Sequence, residues 1–199
     1  MSWTTEWISV VFSDEKKFNL DSPDGYQYYW HSLEKEDEVY STRQVRGGGV
    51  MVWLAVGYGG RTNLVFLSKK QTHKYYIETL SSELLPFACD LGGENWIFQQ
   101  DGAPIHTANN VKKWFHENNF IVLPWLAKSP DMNPVENIWA IHVYKIYEGG
   151  RQYESIHQLK EALTNIWEIF CQKKIQNLID SMPNRVYELI KANGRRTPY

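Results

Sequence analysis

Residues 129–139 read SPDMNPVENIW, and the use made of Glu136 decides what fold the chain builds. Asn133-Pro134 is a helix start, with Asn as N-cap and Pro in the first turn. Glu136 then falls at the third helical position, where a capping-box glutamate sits. On that helix its face-mates are Trp139, Ala140, Val143, Ile146 and Tyr147, which marks the buried side. The helix runs from Pro134 to about Tyr147 and is stopped by Gly149-Gly150. A cap gains nothing from heading a buried stripe, whereas a carboxylate needed inside the fold does.

Working outward, two apolar runs end in aspartate. WISVVF (7–12) leads to Ser13-Asp14, and NWIFQQD (95–101) closes on Asp101. Both read as buried strands. VMVWLAVGY and TNLVFL flank Gly59-Gly60 and predict a hairpin. Thr72 caps a helix through HKYYIETLSSELLPF, TANNVKKWFHEN predicts another, and FIVLP (120–124) a short strand. The segment from about 21 to 49 is a polar excursion, too long for an ordinary connection. Helices over about 155–193 close the chain: one begins at Ser155, and the next region is interrupted by Pro183. The order predicts a single α/β domain, a mixed five-stranded sheet flanked by helices. Asp14 and Asp101 then sit at carboxyl ends of strands, the edge at which open α/β sheets bind ligands.

The 199 residues, 43% apolar and 22% charged, suit one folded domain with a full core. A net charge of −2 gives no global basic field to advertise a nucleic-acid partner, yet carboxylates holding metal ions reverse their local sign. Nine tryptophans and twelve tyrosines supply core area and flat surfaces for stacking. Cys89 and Cys171 lack metal-ligand spacing and are expected to be buried thiols in a reducing compartment. No signal peptide or long apolar run is present, so no membrane partner is expected.

Three carboxylates brought together would repel, and at least one would hold its proton. With Mg²⁺, or Mn²⁺ as substitute, they become hard oxygen ligands with positions left for water and phosphate. Two such ions activate a nucleophile and stabilise the leaving oxygen in an in-line displacement at phosphorus. Each aspartate alone also fits a turn or cap; the triplet in this element order is much harder to reach by accident.

VVFSDEKKFNLDSPDG, WIFQQDGAPIHTA and SPDMNPVENIW resemble the three signature stretches of the mariner-type DNA transposases, and 34 residues separate Asp101 from Glu136, as in the glutamate-bearing, nematode-like branch. YYWHSLEKE, GGGVMVW and SMPNRVYELIKANG extend the resemblance over nearly the whole chain. It implies a ribonuclease-H-like fold with strand order 3-2-1-4-5. It implies cut-and-paste transposition: metal-dependent cleavage of transposon ends, then attack of the freed 3′-hydroxyl on target DNA at TA. Asp14 would bridge two ions, while Asp101 and Glu136 would each hold one. The resemblance also implies a homodimer in the synaptic complex, a nuclear location, and a clamp-like loop in the insert. The paired helix-turn-helix domains of the family's full-length enzymes have no counterpart, so a catalytic core is expected. The rival reading is a host-adopted or inactive derivative that binds DNA or protein without cutting.

Ile138-Trp139-Ala140 stands where the family usually has an aliphatic-Trp-Gly step, and the extra methyl would crowd the packing against the sheet. His142 follows where an apolar residue is common. Lys128 either reaches a phosphate or is a solvated lysine, and His106 either touches DNA near the scissile phosphate or makes a hydrogen bond at a helix start. Arg43 and Arg46, beside the glycine hinge, face DNA or a partner subunit. EKEDE (34–38) is a solvated tip, and YQYYW (26–30) strand packing.

Overall fold

The computed structural model describes residues 3–21, 48–67, 70–125, 129–195 and 197–199. A turn of 3₁₀ helix, Glu6–Ser9, leads into β1, Val10–Asn19. β2 is Gly49–Val56, β3 Val65–Leu67 and β4 Ile97–Gln99. The helices are α1 His73–Thr79, α2 Ala88–Gly92, α3 Asn109–Glu117, α4 Pro134–Ile146, α5 Ile156–Glu168, α6 Gln172–Asp180 and α7 Met182–Lys191. None of them is long and apolar enough to cross a membrane.

The sheet is mixed and runs β3-β2-β1-β4. β1 is antiparallel to β2 and parallel to β4, and β2 is antiparallel to β3. The expected fifth strand is absent among the described residues. In its place Val122 makes one parallel bridge to Phe98, with Phe98 N donating to Ile121 O and Leu123 N to Phe98 O, both at 2.8 Å. Pro124 has no N–H with which to extend the ladder. The expected position, outside β4, is nonetheless the one this segment takes.

Alternation along the strands separates two cores. Val10, Phe12 and Phe18 of β1 and Val52, Leu54 and Val56 of β2 pack with α4 and the helices after it. Val11 and Trp53 turn the other way, towards Tyr76, Leu80, Val111 and Phe115. α4 is capped as read: the Asn133 side chain accepts from Val135 N at 3.1 Å. Its fully buried Ile138, Trp139 and Ile146 each contribute roughly 1.5–3 kcal/mol.

Several local expectations are corrected. β1 begins at Val10 and continues to Asn19, so Asp14 lies inside the strand, past the point where β4 stops pairing. The helix after Thr72 gives way to a π-helical stretch, Leu80–Leu84. Cys89 and Cys171 are exposed: Cys89 lies between the core-facing Ala88 and Leu91, and Cys171 just before α6. Ala140 is also exposed, because Val135, Ile138, Trp139, His142 and Ile146 form the buried stripe. Its methyl crowds nothing against the sheet. In the hairpin, a Cβ on Gly59 would meet Asp90 O at 2.2 Å, so the turn is glycine because α2 presses on it.

Candidate active site

The register of β1 and β4 brings the two aspartates together. Phe12 pairs with Gln99 as the last parallel pair, and Asp14 and Asp101 each follow their pair by two residues. Asp14 shares the face of Phe12, the face on which α4 lies. Asn133 ties that helix start to β1, its Nδ2 donating to Ser13 O at 3.2 Å. Asp14, Asp101 and Glu136 consequently line one cavity of 330 Å³. Cavities of 440 Å³ and 510 Å³ adjoin it, sharing Asp101 and Trp125 on one side and Pro130 and Glu136 on the other. The result is a trough running past all three carboxylates.

Each carboxylate is held differently. Trp139 Nε1 donates to Asp14 Oδ2 at 3.1 Å. Burial raises the Asp14 pKa to about 8, helped by the charges of Glu136, Glu15 and Asp101 and opposed by the Glu15 N–H. Asp101 Oδ1 lies 2.5 Å from His106 Nδ1 and accepts from Ala103 N at 3.0 Å. Its pKa is lowered, chiefly by the His106 hydrogen bond. Glu136 is not a capping-box residue, because Asn133 N donates instead to Pro130 O at 3.0 Å.

His106 is 3% exposed. Its Nε2 lies 3.2 Å from Glu15 Oε1, and its ring stacks on Tyr76 with centroids 4.1 Å apart. Burial alone would lower its pKa, but hydrogen bonding to Asp101 and Glu15 and their charges raise it to about 9. Of the two readings of this residue, the hydrogen-bonding one is what the geometry displays: the ring is buried between Asp101 and Glu15. Lys128, Arg43 and Arg46, the EKEDE and YQYYW runs and most of the insert lie outside the described residues.

Two features went unread in the sequence. Glu15 follows Asp14 on the opposite face of β1, and it meets the histidine placed after Asp101. Arg185, 1% exposed, donates to Ser181 Oγ at 2.9 Å, Asp131 O at 2.8 Å and Asn137 Oδ1 at 2.7 Å. Tyr199 covers its guanidinium at 4.7 Å, and Thr197 Oγ1 donates to Asp131 Oδ2 at 2.7 Å. This clasp fixes both the turn before α4 and Asn137, the residue after Glu136.

The donor set suits a hard divalent cation. All three groups are carboxylates, with the Trp139 and Glu15 N–H groups on Asp14 and with His106 and the Ala103 N–H sharing one oxygen of Asp101. No three His, Cys, Asp or Glu side chains among the described residues form a cluster able to hold a metal ion. Mg²⁺, which keeps several waters and binds through one or two carboxylates with substrate phosphates, does not require such a preformed cluster.

With fold and site together, the class is defined: the chain belongs to the DDE superfamily endonucleases, whose family model matches residues 9–160. It is 38% identical to the Tc3 transposase of Caenorhabditis elegans over 195 residues, covering 98% of this chain and 59% of that protein. Against the Tcb2 transposase of Caenorhabditis briggsae it is 32% identical, covering 98% and 71%. The chain thus spans about three-fifths of the Tc3 enzyme. In fold it matches the Mos1 transposase paired-end complex with left transposon end at TM-score 0.78 and 21% identity, covering 95% of this chain and 56% of that one. The catalytic domain of Mos1 mariner transposase matches at 0.74 and 19%, covering 96% and 85%.

Proposed function

We propose that this domain is the catalytic core of a cut-and-paste DNA transposase. Asp14, Asp101 and Glu136 would together hold two Mg²⁺ ions. The observation that carries the reading is the convergence of these three carboxylates on one cavity from β1, the end of β4 and the start of α4. Such ions, when bound, activate the attacking oxygen and stabilise the leaving one. The chain's own residues prepare the ligands: Trp139 orients Asp14, and His106 keeps Asp101 ionised and fixed.

In the first reaction water adds to a phosphodiester at the transposon end and a 3′-hydroxyl leaves. In the second, that 3′-hydroxyl attacks a target phosphodiester, so one P–O bond forms as another breaks. The trough through the site suits a strand threaded past the carboxylates. Mos1 has been solved as a paired-end complex and its catalytic domain with Mg and with Mn, which supports paired transposon ends as substrate, divalent ions as cofactor, and two copies of this chain acting together. The nucleus, where chromosomal target DNA lies, is the proposed location.

The test is Mn²⁺-dependent nicking of plasmid DNA by the parent chain, Asp101→Asn and Glu136→Gln. The parent is expected to nick while both variants fall to background. Equal nicking by all three would sink the assignment. Folded protein that binds DNA without nicking at any Mn²⁺ concentration would favour the host-adopted binding domain.

A further inference from the structure

Gln99 is the last residue of β4 and pairs with Phe12 of β1. Its side chain therefore takes the sheet face that carries Asp14 and that α4 covers. The residue is 0% exposed, and neither Oε1 nor Nε2 has a hydrogen-bond partner among the described residues. Its main-chain carbonyl, by contrast, accepts from Ser13 Oγ at 3.0 Å, so the strand end itself is fixed.

A buried amide left unpaired costs about 1–3 kcal/mol, and folded proteins keep few such groups without a reason. An apolar side chain of the same volume would fill the position at no such cost. Other buried side chains with an unpaired polar atom, such as Trp7, Trp53 and His142, do not line the carboxylate cavity, whereas Gln99 does. A carboxamide is also suited to that wall. Its oxygen accepts from water polarised by a divalent cation, and its NH₂ donates to a carboxylate or phosphate oxygen.

We propose that Gln99 is a fourth side chain of the metal site, contacting the hydration shell of the cation that the carboxylates hold. The inference rests on the metal-site reading above. It predicts that removing the amide separates stability from cation binding, which a purely structural glutamine would not do.

The experiment uses the whole chain as parent, Gln99→Leu, Gln99→Met and Glu136→Gln. It measures the thermal midpoint in EDTA and the Mn²⁺ affinity by calorimetry. Gln99→Leu is expected to hold or raise the midpoint while weakening Mn²⁺ binding about tenfold, the scale of losing an outer-shell partner. Gln99→Met, closer in shape, decides the matter if the leucine variant does not fold. Parental Mn²⁺ affinity in a folded Gln99 variant overturns the proposal. So does a midpoint that falls together with the affinity in both variants. If Glu136→Gln also keeps parental affinity, the carboxylate site fails and this inference with it. If Glu136→Gln loses binding and Gln99→Leu does not, Gln99 alone is excluded.

Discussion

The two sides of the sheet treat their aspartates in opposite ways. The side carrying α1 to α3 delivers a cation: His106, stacked on Tyr76, holds Asp101 ionised. The side covered by α4 delivers another carboxylate. Asp14 is part-buried beneath Trp139, with Glu136 close enough to help push its pKa to about 8. One aspartate is therefore ready to bind metal at neutral pH, and the other must surrender a proton first. Among the described residues, His106 is the cation that reaches the carboxylate triad, and of the three it touches Asp101 alone, its other nitrogen facing Glu15. The rest of the negative charge is left for bound ions to neutralise.

The contrast is broken most strongly at His106. His106→Phe keeps a ring for Tyr76 and removes both nitrogens, leaving Asp101 and Glu15 facing one another without a cation. Mn²⁺ affinity, followed by calorimetry, is expected to fall about 10- to 100-fold. An unchanged affinity would show that Asp101 needs no such support.

A pH series sharpens the other half. Asp14 titrates at about 8 in the fold against 3.8 in a free chain, and His106 at about 9 against 6.5. Both contributions to stability are full below the free values and are lost as pH rises through the folded ones. The thermal midpoint in EDTA should accordingly drop between pH 6 and pH 9. Mn²⁺ should restore more stability at pH 9 than at pH 6, since Asp14 must be deprotonated to ligate. Asp14→Asn should flatten part of the fall. A midpoint that rises over this interval would contradict the assignment of both groups. The smallest effect is expected from Trp139→Phe, which removes the N–H on Asp14 Oδ2. A loss of a few-fold in Mn²⁺ affinity is the scale of one hydrogen bond.

The sequence made the carboxylates legible because each sits at an element boundary with its own signature: an apolar run before Asp14 and Asp101, an Asn-Pro start before Glu136. The four paired strands and the helical tail followed from periodicity and caps. What could not be read depends on which way a side chain turns once elements pack. For His106 the sequence left a DNA contact and a helix-start hydrogen bond open, and the turn after β4 folds it inward onto Asp101 and Glu15. The available clue was an acid beside Asp14 on the opposite strand face. Ala140 was placed on the wrong face because the buried stripe of α4 runs instead through His142, where an apolar residue is common in the family. That ring sits among Trp139, Trp167 and Phe170. Arg185 gave little local signal, since besides the Ser181 hydroxyl one turn earlier its acceptors are an amide and a main-chain carbonyl from distant segments. The fifth strand failed for a local reason, a single bridge followed by Pro124.

The Arg185 clasp has a consequence for the order in which the molecule is made. Asp14, Asp101 and Glu136 all leave the ribosome before α7 does, and domains begin to organise from the N-terminus during synthesis. Until Arg185, Thr197 and Tyr199 have emerged, the bonds by which the clasp holds the turn before α4 cannot exist. A nascent chain can therefore carry all three carboxylates while its third lacks the support that the finished fold gives it.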